Sequence, residues 1–136
     1  MGTIHKQTAV MGDPRWTYPG VGLTEYSTQA SAGVTKQVLI GASEAAGDFI
    51  VRYFTLPPGG HSALDQHAHE HGVVITHGSG RVRLGDAWHE LSLGDAVHTA
   101  PHEVHQFEAA AHEPLGFICV IPRWAEADQC VLPEPA

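Results

Sequence analysis

Gly59-Gly60-His61-Ser62-Ala63-Leu64-Asp65-Gln66-His67-Ala68-His69-Glu70-His71-Gly72 carries a histidine at every second position from 67 to 71, with Asp65 two residues further back. In an extended chain successive side chains point to opposite faces, so an i, i+2, i+4 series lines one side of a ribbon. Three imidazoles and a carboxylate crowded together are a donor set for a divalent metal. The cluster is internal, alternates with other residues and is flanked by strand-like segments, which separates it from a tag or a solvated histidine tract. Downstream, Pro101-His102-Glu103-Val104-His105-Gln106-Phe107 supplies a distant fourth or fifth ligand. The spacing predicts a metal centre in a small β-barrel, with Asp65, His67, His69 and His71 as candidates.

Working outward, Lys36–Ile40 and Asp48–Leu56 read as strands, the second rich in β-branched and aromatic residues. Pro57-Pro58-Gly59-Gly60 stops the chain before the histidines. Beyond them, Val73–Thr76 is a buried strand ending at the turn His77-Gly78-Ser79-Gly80. Arg81–Leu84 and Ala87–Leu91 form a hairpin about Gly85-Asp86. Leu93-Gly94-Asp95 turns into Ala96–Thr99, and Val104–Ala109 and Leu115–Ile121 complete the set. Trp124–Gln129, after Pro122, is the one short helix expected. Short strands with turns every ~8–12 residues are the pattern of an all-β sandwich or barrel.

The 136 residues fit one domain with a real core, and 15 glycines with 9 prolines favour short strands over long helices. Residues 1–34 hold no sustained period and read as an N-terminal arm with one short strand, 35–122 as the barrel, and 123–136 as a C-terminal tail. The formal charge is −8, and the seven basic residues (Lys6, Arg15, Lys36, Arg52, Arg81, Arg83, Arg123) are scattered, which excludes a phosphate-tracking stripe and so nucleic-acid binding. The sequence opens without an apolar secretory segment and no run approaches membrane-spanning length, predicting a cytoplasmic protein with no membrane contact. Cys119 reads as a small core residue, and two cysteines make no disulfide framework.

These motifs resemble the cupin superfamily, whose jelly-roll barrel (a double-stranded β-helix) binds one metal. Its second motif is matched by Gly94-Asp95, Pro101 and His105, with Gln106-Phe107 following. For the first motif, Gly78 sets the frame. Counting back puts His71 where the family's glutamate stands, His67 at its second histidine and Asp65 at its first. A literal His-x-His match instead selects His67 and His69, and then Val73 or Val74 falls at the glutamate position. The glycine-anchored register makes Ala68-His69-Glu70 a link between two strands. It implies His67, His71 and His105 as ligands, with Asp65 or His69 as the fourth.

Imidazole and carboxylate donors without thiolate suit Mn, Fe(II), Ni, Cu or Zn, with positions left open for an exogenous ligand. Each ligating histidine is expected to give its other ring nitrogen to a carbonyl or carboxylate, with Glu70 and Glu103 near in sequence. Bound metal needs neutral imidazoles, so occupancy is expected to fall below pH about 6. His5, His61, His89 and His112 read as surface residues, His77 as lining the cavity mouth, and His98 as able to point inward. Arg52, Arg81 and Arg83 are the strand arginines able to anchor a carboxylate, with a solvated face their ordinary fate. The resemblance implies a mononuclear metal enzyme of dioxygenase, decarboxylase, isomerase or lyase type, acting on a small oxygenated or carboxylated molecule. The alternative is a non-catalytic cupin sensor or binding module. A homodimer is expected, because exposed barrel strands need covering.

Overall fold

The computed structural model describes residues 2–7, 17–26 and 33–127, and in them the regular structure is almost all strand: β1 (Leu23–Tyr26), β2 (Val34–Ile40), β3 (Phe49–Leu56), β4 (His71–Gly78), β5 (Gly80–Leu84), β6 (Ala87–Leu91), β7 (Ala96–Thr99), β8 (His105–Ala109) and β9 (Leu115–Pro122). Two antiparallel sheets result, one of six strands in the order β1-β2-β3-β9-β4-β7 and one of three in the order β6-β5-β8. The all-β jelly roll expected from the sequence is the fold observed.

Period-2 alternation builds the interior. On β4 the side chains of His71, Val73 and Ile75 are buried while Gly72 and Val74 are exposed. On β9 Leu115, Phe117, Cys119 and Ile121 point in, and on β8 His105, Phe107 and Ala109 do so. Both sheets contribute to one core, in which Phe117 stacks between Phe107 (centroids 4.6 Å) and Phe54 (5.5 Å). Each large apolar side chain buried there contributes about 1.5–3 kcal/mol. His71 and His105 share the parity of these core residues, so the fold itself turns them inward.

Between β3 and β4 the chain leaves the large sheet and runs beside β8. Ser62 N donates to Phe107 O at 2.8 Å, and Asp65 and His105 exchange both backbone bonds at 2.9 Å. This crossover sets Asp65 directly opposite His105. The expected turn 77–80 is tighter in the fold: β4 runs through Gly78 and β5 starts at Gly80. Gly78 has φ +72°, and a Cβ there would collide with the Pro114 carbonyl oxygen. Glycine is what allows two strands to meet across one residue.

Gln37, 2% exposed on β2, fastens the preceding segment: its amide accepts from Tyr18 N (2.8 Å) and donates to the carbonyls of Tyr18 (2.8 Å) and Val21 (2.9 Å). The expected helix at 124–129 is a 3-10 helix over Arg123–Ala127; residues 128 and 129, the remaining tail with Cys130, and Trp16 lie outside the described residues. No helix among the described residues is long and apolar enough to cross a membrane.

Candidate metal centre

All five candidate ligands meet at one end of the core. His71 opens β4, His105 opens β8, Asp65 comes from the crossover, and His67 and His69 sit in the link between crossover and β4. Their donor atoms form two overlapping groups, His67–His69–His71 and Asp65–His67–His105, each within 4.8 Å and sharing His67. The Nε2 atoms of His67 and His71 are 2.8 Å apart. His105 presents its ring edge to both, at centroid distances of 4.8 and 5.0 Å. His69 is 2% exposed and lies parallel to His67 at 3.7 Å, with Trp124 edge-on at 6.1 Å.

The far side of each ring is anchored. His67 Nδ1 donates to the His69 carbonyl and His105 Nδ1 to the Glu103 carbonyl, both at 2.9 Å, leaving Nε2 of each directed at the cluster. Such anchoring fixes tautomer and orientation. His71 differs, because its Nδ1 lies 2.9 Å from the thiol of Cys119. The carboxylates of Glu70 and Glu103 are not these partners: Glu70 meets His98 at 3.0 Å on the surface, and Glu103 accepts from Ala100 N at 3.1 Å. The turn carrying Pro101 is stapled to the ligand link, His102 N donating to His67 O at 2.7 Å and Gln66 Nε2 to His102 O at 2.8 Å. His102 holds φ +65°, a strained value for a residue with a Cβ.

Burial governs the protonation states. It pushes His71 down to about 2, helped by repulsion from His105 and Arg52, and His105 down to about 4. It pushes Asp65 up to about 6 against the pull of Arg52. His71 and His105 are thus neutral and able to ligate at physiological pH. Convergent ring nitrogens and anchored far sides fit a divalent metal, and the donor chemistry is that of Mn, Fe, Ni, Cu or Zn.

His98 does not point inward. It lies on the outer face of β7, 62% exposed as a side chain, between buried Val97 and Thr99. His89 and His112 are exposed, as expected, while His5 pairs with Glu44 at 3.1 Å and His61 is half-buried beside β8. His77 is half-buried at the far end of β4 from His71. Arg81 meets Glu108 at 3.2 Å and covers Trp88, and Arg83 donates to the Gly85 carbonyl. Arg52 is the exception, buried inside the barrel beside His71 and Cys119. Residue type and spacing place neither Arg52 nor Cys119 beside the ligands. Their signal is parity, since Arg52 alternates with Ile50 and Leu56, and Cys119 with Phe117 and Ile121.

Residues 52–121, more than half of the chain, match the cupin domain family. The chain is a cupin. This cupin is 40% identical over 125 residues to the 1-methylthio-D-xylulose 5-phosphate methylsulfurylase of Rhodospirillum rubrum, covering 90% of this chain and 78% of the relative. Among solved structures it is similar to a cupin 2 conserved barrel protein from Rhodopseudomonas palustris, with TM-score 0.81, 31% identity, and 97% and 87% of the two chains covered. A cupin-2 domain protein from Rhodospirillum rubrum superposes with TM-score 0.74 at 34% identity, over 98% of this cupin and 84% of that chain.

Proposed function

We propose that this cupin is a mononuclear metal-dependent enzyme that removes a methylthio group from a small ketose phosphate. The observation that carries the reading is the 40% identity, over 90% of the chain, to the Rhodospirillum methylsulfurylase named for 1-methylthio-D-xylulose 5-phosphate. It narrows the dioxygenase, decarboxylase and isomerase chemistries that the motifs alone left open.

In this reading His67, His71 and His105 hold the ion, with Asp65 or His69 as fourth ligand. A divalent metal supplies Lewis acidity toward a substrate carbonyl oxygen and leaves positions for the substrate. In a 1-methylthio-2-ketose the sulfur sits on the carbon next to the ketone. A thiol co-substrate attacks that sulfur, an S–S bond forms, and the C–S bond breaks with its electron pair delocalised into the ketone. The carbon then takes a proton, giving a 1-deoxyketose phosphate and a mixed methyl disulfide. Where His69 completes the ligand set, Asp65, raised to about 6 by burial, is the group beside it that can carry a proton near neutrality.

The test is incubation of the metal-loaded protein with 1-methylthio-D-xylulose 5-phosphate and a low-molecular-weight thiol, followed by mass spectrometry. Formation of the 1-deoxyketose phosphate and the mixed disulfide is expected, with turnover abolished in His105→Ala. Stoichiometric metal without substrate loss, whichever of Mn, Fe(II), Ni, Cu or Zn is loaded, defeats the proposal.

We also propose that the cupin is a homodimer. Ile40, Phe49, Val74 and Val120, between 37% and 48% exposed, lie on the outer face of the six-stranded sheet. A second copy covers such a face by pairing it with itself. Light scattering should give twice the chain mass, and a Val74→Glu, Val120→Glu double variant the mass of one chain.

A further inference from the structure

Arg52 occupies a core position. It shares the inward parity of Ile50 and Leu56 on β3 and is 7% exposed. Its guanidinium lies 4.9 Å over the Phe54 ring, and its terminal nitrogen is 3.2 Å from Cys119 Sγ and 3.3 Å from His71 Nδ1. These neighbours are neutral. Among the described residues no carboxylate comes within ion-pair distance of Arg52, and its Nε has no hydrogen-bond partner. Asp65 feels its charge without pairing with it.

Arginine stays protonated in a protein, and a buried cation is costly unless an anion meets it. The deficit grows when the centre is loaded. A divalent ion adds two positive charges, the imidazoles add none, and Asp65 brings at most one negative charge. The other strand arginines do not share this position, Arg81 being held by Glu108 and Arg83 by the Gly85 carbonyl. A barrel interior with this surplus is complementary to a negatively charged ligand.

We propose that Arg52 is an anion-binding group of the site, taking an anionic oxygen of the substrate beside the ion held by His67, His71 and His105. This rests on the metal-enzyme reading and makes Arg52 its specificity-determining residue, so that substrates are anions and neutral sugars are poor ligands. The planar guanidinium matches paired oxygens, with Nε as the donor left over. Two parts of a ketose phosphate carry that chemistry, the phosphate and the oxygens that chelate the metal.

The experiment compares wild type, Arg52→Gln, Arg52→Lys and Arg52→Met, each loaded with Ni(II), by calorimetric titration. The probes are oxalate, which places its charge at the metal, D-xylulose 5-phosphate, which carries it on the phosphate, and uncharged D-xylulose. Wild type should bind both anions more tightly than D-xylulose. Arg52→Gln should keep one metal per chain and lose at least about tenfold in affinity for one anion, D-xylulose binding being unchanged, with partial recovery in Arg52→Lys. A loss confined to D-xylulose 5-phosphate assigns Arg52 to the phosphate, and one confined to oxalate assigns it to the oxygens at the metal. Unchanged anion binding in Arg52→Gln overturns the proposal, as does loss of metal from both Arg52→Gln and Arg52→Lys, which would make Arg52 a support for His71. Should Arg52→Gln fail to fold, Arg52→Met keeps the packing on Phe54 without the charge. Wild-type protein binding neither anion better than D-xylulose overturns the proposal without any variant. These titrations read binding alone, so their outcome does not depend on whether a methylthio substrate is cleaved.

Discussion

His67 Nε2 and His71 Nε2 approach to 2.8 Å although one ring comes from the inter-strand link and the other from β4. Two nitrogens about 2.1 Å from one ion at a right angle would be ~3 Å apart, so the rings already stand close to a coordinating geometry. His71→Ala and His105→Ala should therefore each purify with well under one metal per chain while keeping a β-rich circular dichroism spectrum. Full stoichiometric metal in either would place the ion elsewhere.

The anchor of His71 is the thiol of Cys119 where His67 and His105 use carbonyls. Loss of an outer partner typically costs 10- to 100-fold in metal affinity, and a thiol is a weak acceptor. Cys119→Ala is expected at the lower end, about tenfold weaker by chelator competition, with Cys119→Ser in between. No change would mean that the backbone of β4 and Arg52, 3.3 Å from the same nitrogen, orient His71 without the thiol.

Strand periodicity and two glycine-framed motifs were enough to specify the jelly roll and to gather Asp65, His67, His69, His71 and His105. Gly78 was informative because its φ of +72° and its closeness to Pro114 leave no space for a side chain. Of the two readings open for Arg52, the solvated face fails, because strand parity set by its apolar neighbours turns it inward. The same parity keeps His98 out of the inward position that was open to it. The choice between Asp65 and His69 is not carried by spacing, because the link 66–70 folds His69 back onto His67.

Gly78→Ala should destabilise the fold by at least ~2 kcal/mol, the added methyl meeting both a left-handed backbone and the Pro114 carbonyl. Urea denaturation measures it. A midpoint within error of wild type would show that the β4–β5 corner relaxes freely.

The division into an arm (1–34), barrel (35–122) and tail (123–136) stands as a proposal with a direct handle in Gln37. Gln37→Ala removes three hydrogen bonds to Tyr18 and Val21 at a buried position, each worth about 0.5–1.5 kcal/mol. Limited proteolysis should then cut before residue 34 much faster than in wild type and leave a barrel that still binds metal. Cleavage at the wild-type rate would mean that other contacts hold the segment.

Acid should act on the metal-free protein through three buried groups of opposite sign. His71 and His105 have folded pKa values of about 2 and about 4 against an ordinary 6.5, so as pH falls below 6.5 the unfolded chain takes up protons that the folded state refuses. Their contribution to stability is lost on acidification. Asp65, at about 6 folded against 3.8, binds its proton first in the folded state, so it stabilises as pH falls from 6 toward 3.8. Between pH 6 and 4 two protons oppose one among these three groups, so they lower stability as pH falls, and the fall should be steeper in Asp65→Asn, which lacks the opposing proton. Urea denaturation at four pH values reads the slope, and a wild-type slope equal to that of Asp65→Asn would show that Asp65 titrates normally. The same values move the window of metal release. Affinity drops about tenfold per unit below the pKa of a ligand, so a break near pH 6 that disappears in Asp65→Asn marks Asp65 as the fourth ligand. A pH profile of metal binding that Asp65→Asn leaves unchanged leaves that position to His69.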